Sequence, residues 1–198
     1  MRQTRQNVFE TNSSSSHTLT FNCKDKPIEV PRKNIKLKFD EEDYSSMSAP
    51  SRDSLREKLH YFMIYCIKDL RMMKNLKDCV HRLNQKYEIH ISFPVDIATQ
   101  DYDADEILDK EENYFCYINH QSSDVFDDIC RDKDALYHIL EDSRFSVKCY
   151  GDGEYDRWEN EGHPDELEIR NIEQLKDCCE KHGIKWDIGW PGNFSLRP

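Results

Sequence analysis

At 198 residues and a net charge of −11, the chain has room for one substantial domain, and its ten Tyr and nine Phe exclude the aromatic-poor composition of a disordered protein. Only 37% of residues are hydrophobic and mean hydropathy is −0.90, so a lean core and a wide polar surface are expected, with no apolar run of membrane length. The polar, basic start lacks the apolar stretch of a signal peptide, which points to a cytoplasmic protein.

The first two β-prone pieces, Asn7-Val8-Phe9 and Thr18-Leu19-Thr20-Phe21, are predicted to pair as an N-terminal hairpin over residues 5–22. Ile35-Lys36-Leu37-Lys38-Phe39 alternates like an edge strand, and an acidic, serine-rich loop follows from Asp40 to Ser51. Ser54-Leu55-Arg56-Glu57 has the form of a capping box, in which the hydroxyl and the carboxylate satisfy orphan backbone donors reciprocally. Leu55, Leu59, Phe62, Cys66 and Leu70 then recur at helical spacing. Asn75 is a cap candidate for a second helix, with Leu76, Val80 and Leu83 turned inward.

Tyr87 to Phe93 alternates strictly and predicts a strand that Pro94 ends. After a long acidic connection over residues 95–112, Tyr114 to Ile118 is an expected buried strand. Short helices are expected around Asp124–Cys130 and Lys133–Leu140, then a strand over Phe145–Tyr150 and a second acidic loop over residues 151–168. Asn171-Ile172-Glu173-Gln174 is a second capping box, for a helix that reaches His182, stops at Gly183 and feeds a strand at Ile184–Ile188. Loose alternation without repeats predicts a single α+β domain over residues 1–198, its mixed or antiparallel sheet covered by helices on one face.

Charge is segregated along the chain. Residues 1–38 carry eight Lys or Arg against three acids, whereas residues 96–112 and 151–168 each hold eight acids and one cation. The acidic bulk disfavours general nucleic-acid binding, which requires phosphate neutralisation, and the basic N-terminal part suits a small anion. Eight cysteines form no C-x-x-C pair. Cys116-x-x-x-His120 and Cys179-x-x-His182 stand isolated, so no metal site is predicted and the thiols are expected as small core residues in a reducing compartment. No P-loop, Rossmann glycine pattern or nucleophile elbow is present, and no cofactor is expected.

The densest chemistry lies in Phe9-Glu10-Thr11-Asn12-Ser13-Ser14-Ser15-Ser16-His17. A tight hairpin needs two turn residues; this segment spends a carboxylate, an amide, four hydroxyls and an imidazole. Arg5, Asn12, Ser13, Ser14, Ser15 and Ser16, with Arg2 nearby, supply donors for an anion, while Glu10 and His17 are the candidate proton carriers. The same block also suits an ordinary polar loop whose Asn and Ser side chains satisfy their own backbone.

Three weaker constellations accompany it. Gly151-Asp152-Gly153-Glu154-Tyr155-Asp156-Arg157-Trp158-Glu159 offers carboxylates for a divalent cation or aromatics for a protein contact, without EF-hand spacing. His90-Ile91-Ser92 has the form of half a 2H phosphoesterase site, and His120-Gln121-Ser122 is an imperfect second half. Glu166-Leu167-Glu168 together with the serine run is faintly similar to the NAD clamp of ADP-ribosyltransferases.

The run from Arg5 through Phe9-Glu10-Thr11-Asn12-Ser13-Ser14-Ser15 to His17-Thr18-Leu19 resembles the opening of a family of uncharacterised proteins from bacteriophages and mobile elements. The resemblance covers about fifteen residues and brings no established activity with it. It implies a phage or mobile-element accessory protein acting on host machinery inside a bacterial cell. Counter-defence is the expected role, through a host protein partner or a small phosphorylated ligand. The alternative is a phosphoester or group-transfer enzyme using Glu10, the serines and His17.

Overall fold

A computed structural model describes residues 16–24, 34–39, 51–94, 97, 125–150, 162–187 and 189. The strands are β1 (Ser16–Asn22), β2 (Ile35–Lys36), β3 (Ser51–Arg52), β4 (Ile91–Ser92), β5 (Phe145–Tyr150) and β6 (Glu166–Ile169). The helices are α1 (Leu55–Cys66), α2 (Leu70–Tyr87), α3 (Val125–Arg131), α4 (Lys133–Glu141) and α5 (Ile172–Lys181). Together they make the expected α+β fold: an antiparallel sheet in the order β3-β5-β1-β6, a small parallel pair β2-β4, and a helical layer on one sheet face.

The local signals at helix starts act much as their chemistry requires. Glu57 N donates to Ser54 Oγ at 3.2 Å and Ser54 N donates to Glu57 Oε2 at 3.1 Å, so the first capping box is complete. The second is altered. Gln174 N donates to Asn171 Oδ1, but the Gln174 side-chain Oε1 accepts from Arg170 N, one residue before the cap. Gly183, past the end of α5, has φ +71, which only glycine adopts readily.

Several expected elements are redrawn. The Leu55-to-Leu70 spacing spans two helices, because Asp69 Oδ1 captures Arg71 N (2.8 Å) and Met72 N (3.3 Å) and starts α2 there. Leu70 is 57% exposed. Asn75 therefore lies inside α2, where its amide donates to the Cys130 and Arg131 carbonyls at the end of α3. The strand expected from Tyr87 shrinks to Ile91–Ser92, since Tyr87 completes α2 and Glu88 turns at φ 52. Asn84 then mimics a strand partner, accepting from Ile91 N at 2.9 Å and donating to Ile91 O at 3.4 Å. Residues 184–187 form no strand: Ile184 N donates to Cys179 O, and the Trp186 carbonyl accepts from His138 Nε2 at 3.0 Å. The expected strand at Tyr114–Ile118 lies outside the described residues.

β1 and β5 are the two interior strands of the sheet. Residues 16–21 pair with Tyr150 to Phe145 of β5, and residues 19–22 pair with Ile169 to Glu166 of β6. Leu19–Phe21, expected to pair with Val8-Phe9, thus has both edges occupied by strands from the C-terminal half. The end of the expected acidic loop 151–168 is likewise strand. Alternation sends His17, Leu19, Phe21, Phe145, Val147, Cys149 and Arg52 to one face, where the helices pack. On the other face Lys148 reaches from β5 across β1 to Glu166 of β6, with Nζ 3.0 and 3.1 Å from the two carboxylate oxygens.

One buried cation ties the layers. Lys58 of α1 is fully buried, and its ammonium donates to the carbonyls of Ile139 (2.6 Å), Asp142 (2.8 Å) and Phe145 (3.2 Å). Ile139 lies in the last turn of α4, where carbonyls run out of helix partners; Asp142, whose carbonyl also accepts from Phe145 N at 3.1 Å, and Phe145 lie in the turn and at the start of β5. Burial alone would raise the Asp142 carboxyl, but the hydrogen bonds and charge of Arg144 outweigh it and hold it below its ordinary value. Replacing Lys58 by Met keeps the stem and deletes three charge-assisted bonds. It should destabilise the protein by about 3 kcal/mol, seen as a lower urea midpoint with unchanged slope. An unchanged midpoint would show that these carbonyls need no donor.

Candidate functional site

Of the expected site residues, Arg5, Glu10, Asn12, Ser13, Ser14 and Ser15 lie outside the described residues, as does the side chain of Ser16. His17 is described, and it lies in the core. It is 0% exposed, on the helix-facing side of β1 directly across from Cys149 of β5. The polar block thus runs by direct covalent continuity into the interior of the fold. β1 begins opposite the end of β5, and β3 begins at the same end, since Ser51 is opposite Lys148.

Two side chains not foreseen from the sequence meet His17 there. Tyr61 of α1 places its hydroxyl 3.3 Å from His17 Nδ1, with the rings edge-on at 5.6 Å between centroids. Arg52 of β3 is 4% exposed, and its guanidinium carbon stands 5.7 Å from the Tyr61 ring centroid, a cation–π approach. Tyr65 and Phe126 complete the aromatic wall around Tyr61. Arg52 was hidden because a two-residue strand shows no alternation. Tyr61 was hidden because α1 is buried nearly all round and offers no polar stripe from which an inward hydroxyl would stand out.

The electrostatics of the cluster follow from burial and one positive charge. Burial, reinforced by the neighbouring guanidinium of Arg52, pushes the His17 pKa down to about 4, so the imidazole is neutral at neutral pH. Burial drives the Tyr61 hydroxyl well above its ordinary value and also raises the Cys149 thiol, with Arg52 opposing both. The cluster therefore presents a neutral imidazole, a protonated phenol and a protonated thiol beside a guanidinium, whose planar fork of donors suits phosphate and carboxylate.

The weaker constellations fare differently. His90 is exposed beside β4, and its proposed partner motif at residues 120–122 lies outside the described residues, as do residues 151–159. Glu166 and Glu168 are committed to Lys148 and to Arg170. Cys66, Cys79, Cys130, Cys149, Cys178 and Cys179 are buried free thiols, as expected of small core residues. Among the described residues no group of three or more His, Cys, Asp or Glu side chains is placed to hold a metal, and no helix is long and apolar enough to cross a membrane.

Comparison with protein-family models, curated proteins and solved structures finds no match to this chain.

The depressed His17 pKa has a consequence for stability, and its sign is fixed. Below pH 6.5 the unfolded chain protonates this imidazole while the folded protein does not until about pH 4. Stability should therefore fall as pH drops through that window, by about 3 kcal/mol in total. Asp127 and Asp142, both held below their ordinary value of 3.8, act only in a lower window. Urea titrations from pH 7 to 4 should show the decline in the wild type and a flatter profile in His17→Asn; parallel profiles would show that His17 titrates normally in the fold.

Proposed function

We propose that the protein binds a small phosphorylated ligand at the end of the sheet where the Arg5–Ser16 block joins β1. The observation that carries this reading is that His17 and buried Arg52 both stand against Tyr61, at the end of β1 directly continuous with that block. A guanidinium, a phenol hydroxyl and an imidazole converge where a chain segment rich in hydroxyls and cations enters the fold. Short, charge-assisted bonds from such groups are the usual means of holding phosphate. With the resemblance of the N-terminal motif to phage and mobile-element proteins, this supports an accessory protein that acts on host machinery, in counter-defence, by capturing such a ligand.

The enzymatic alternative, with Glu10 and His17 moving protons, is less well served. A general base works best with a pKa near the ambient pH, and an imidazole held at about 4 accepts protons poorly at pH 7. Binding is therefore favoured over turnover.

Thermal denaturation against a panel of inorganic phosphate, mononucleotides and cyclic nucleotides tests the proposal. At least one should raise the melting temperature by several degrees at about 100 times its dissociation constant. The shift should vanish in Arg5→Ala and in Arg52→Gln, and persist in Arg71→Ala on the outer face of α2. A flat response across the panel would sink the ligand-binding proposal. A ligand recovered with altered mass would favour the enzyme.

A further inference from the structure

We infer that the outward face of α2 is a docking surface for an extended acidic segment of a partner protein, with Leu70 as an apolar contact at one end. This surface is separate from the proposed ligand site, and the two readings stand or fall independently.

α2 is sharply two-sided. Met72, Met73, Leu76, Cys79, Val80 and Leu83 are buried, and the opposite arc faces solvent. That arc is basic. In a chain of net charge −11, α2 holds Arg71, Lys74, Lys77, Arg82 and Lys86 against the single acid Asp78, which Lys133 of α4 neutralises at 3.0 Å. Asp69, at the helix start, is engaged by the backbone N–H groups of Arg71 and Met72. Arg82 lies over the Tyr137 ring at 5.2 Å and donates to the Gly189 carbonyl, and Lys86 pairs with Glu141. Arg71 and Lys74, one turn apart, are exposed, and among the described residues no carboxylate is paired with either. Helix stability does not account for Arg71, because the first turn of a helix favours acids over cations.

The shape of the patch selects the partner. From Leu70 to Gln85 the stripe is about 22 Å long and one helix wide. Neighbouring positions on it stand about 5–6 Å apart, close to the ~6.8 Å between alternate residues of an extended strand. Acids at every second position of a strand of about seven residues would therefore meet it. Leu70 is exposed beside Arg71. A phosphate backbone offers nothing to such a side chain, whereas a peptide can present an apolar one. The outward arc carries no Phe, Tyr or Trp on which a base could stack, and the acidic remainder of the protein repels a long polyanion.

Fluorescence anisotropy with labelled eight-residue peptides tests the surface. The probes are a peptide with Leu at one end and Glu at alternate positions after it, its reversed sequence, the same pair with Ser for Leu, and an oligothymidylate of equal length. The expected result is saturable binding of a leucine-bearing peptide that weakens with added salt. Reversing both charges in Arg71→Glu/Lys74→Glu should weaken it about tenfold, and Leu70→Ser should remove the advantage of the leucine peptide over the serine one. Lys181→Glu, an exposed cation on α5, should leave binding unchanged. The double variant should fold, since acids in the first turns suit the helix dipole; its far-ultraviolet circular dichroism checks this. No binding of either leucine peptide, or equal binding to wild type and the double variant, would overturn the proposal. Equal binding of the leucine and serine peptides would remove Leu70 from the contact. Oligothymidylate that binds more tightly than the peptides and is lost in the double variant would make the face a nucleic-acid surface and overturn the protein reading.

Discussion

Lys58 sits where α1, the end of α4 and the start of β5 meet, and its ammonium donates to carbonyls on both sides of the turn between those last two elements. Burying an ammonium is expensive unless its donors are fully used, and here carbonyls of the last turn of α4, of the turn after it and of the start of β5 supply the acceptors. The same turn is braced by the Asp142–Arg144 ion pair, and Arg144 lies over the Phe21 ring of β1 at 5.0 Å. Helix layer and sheet are thus joined by directed bonds as well as by apolar contact. In a chain with only 37% hydrophobic residues, that directionality helps to specify one arrangement of the two layers.

The His17 cluster is the polar counterpart at the other end of β5. Along the inner face of β1 the residues pass from Phe21, packed on Phe145 at 4.8 Å, through fully buried Leu19 to His17 beside Tyr61. One face of one strand therefore carries both core and candidate site. The aromatic wall of Tyr61, Tyr65 and Phe126 makes the environment poor in water, which strengthens any charge interaction placed inside it. That low dielectric depresses the imidazole and would also make an incoming anion feel Arg52 strongly.

Much of the helical layer was legible because capping chemistry is local: Ser54 and Glu57, or Asn171 and Gln174, announce a helix start within four residues. The limits of α3, α4 and β5 were expected to within about a residue; the cap of α4, Asp132, whose carboxylate accepts from Asp134 N and Ala135 N, is found only in the structure. What misled was competition between equally local signals. Tyr87 to Phe93 alternates perfectly, yet the helix leading into it is strongly amphipathic and keeps Tyr87. Asn75 is a good cap by residue type, but Asp69 comes first. The site was half legible: His17 stood out by its neighbours in sequence, whereas Arg52 and Tyr61 join it only through tertiary pairing, which no local pattern records.

The placement of β1 also bears on how the chain acquires its structure. The strand at residues 16–22 finds its partners at residues 145–150 and 166–169, so every ladder it makes closes a loop of more than a hundred residues. Such distant pairings raise contact order and slow folding, because loop-closure entropy is lost before the contact forms. During synthesis the strand at residues 16–22 must wait until residues 145–150 have emerged, while α1 and α2 are already able to form. The centre of the sheet is in this sense assembled last from its first-made piece, and through that interval its apolar residues stay open to other strands or to chaperones.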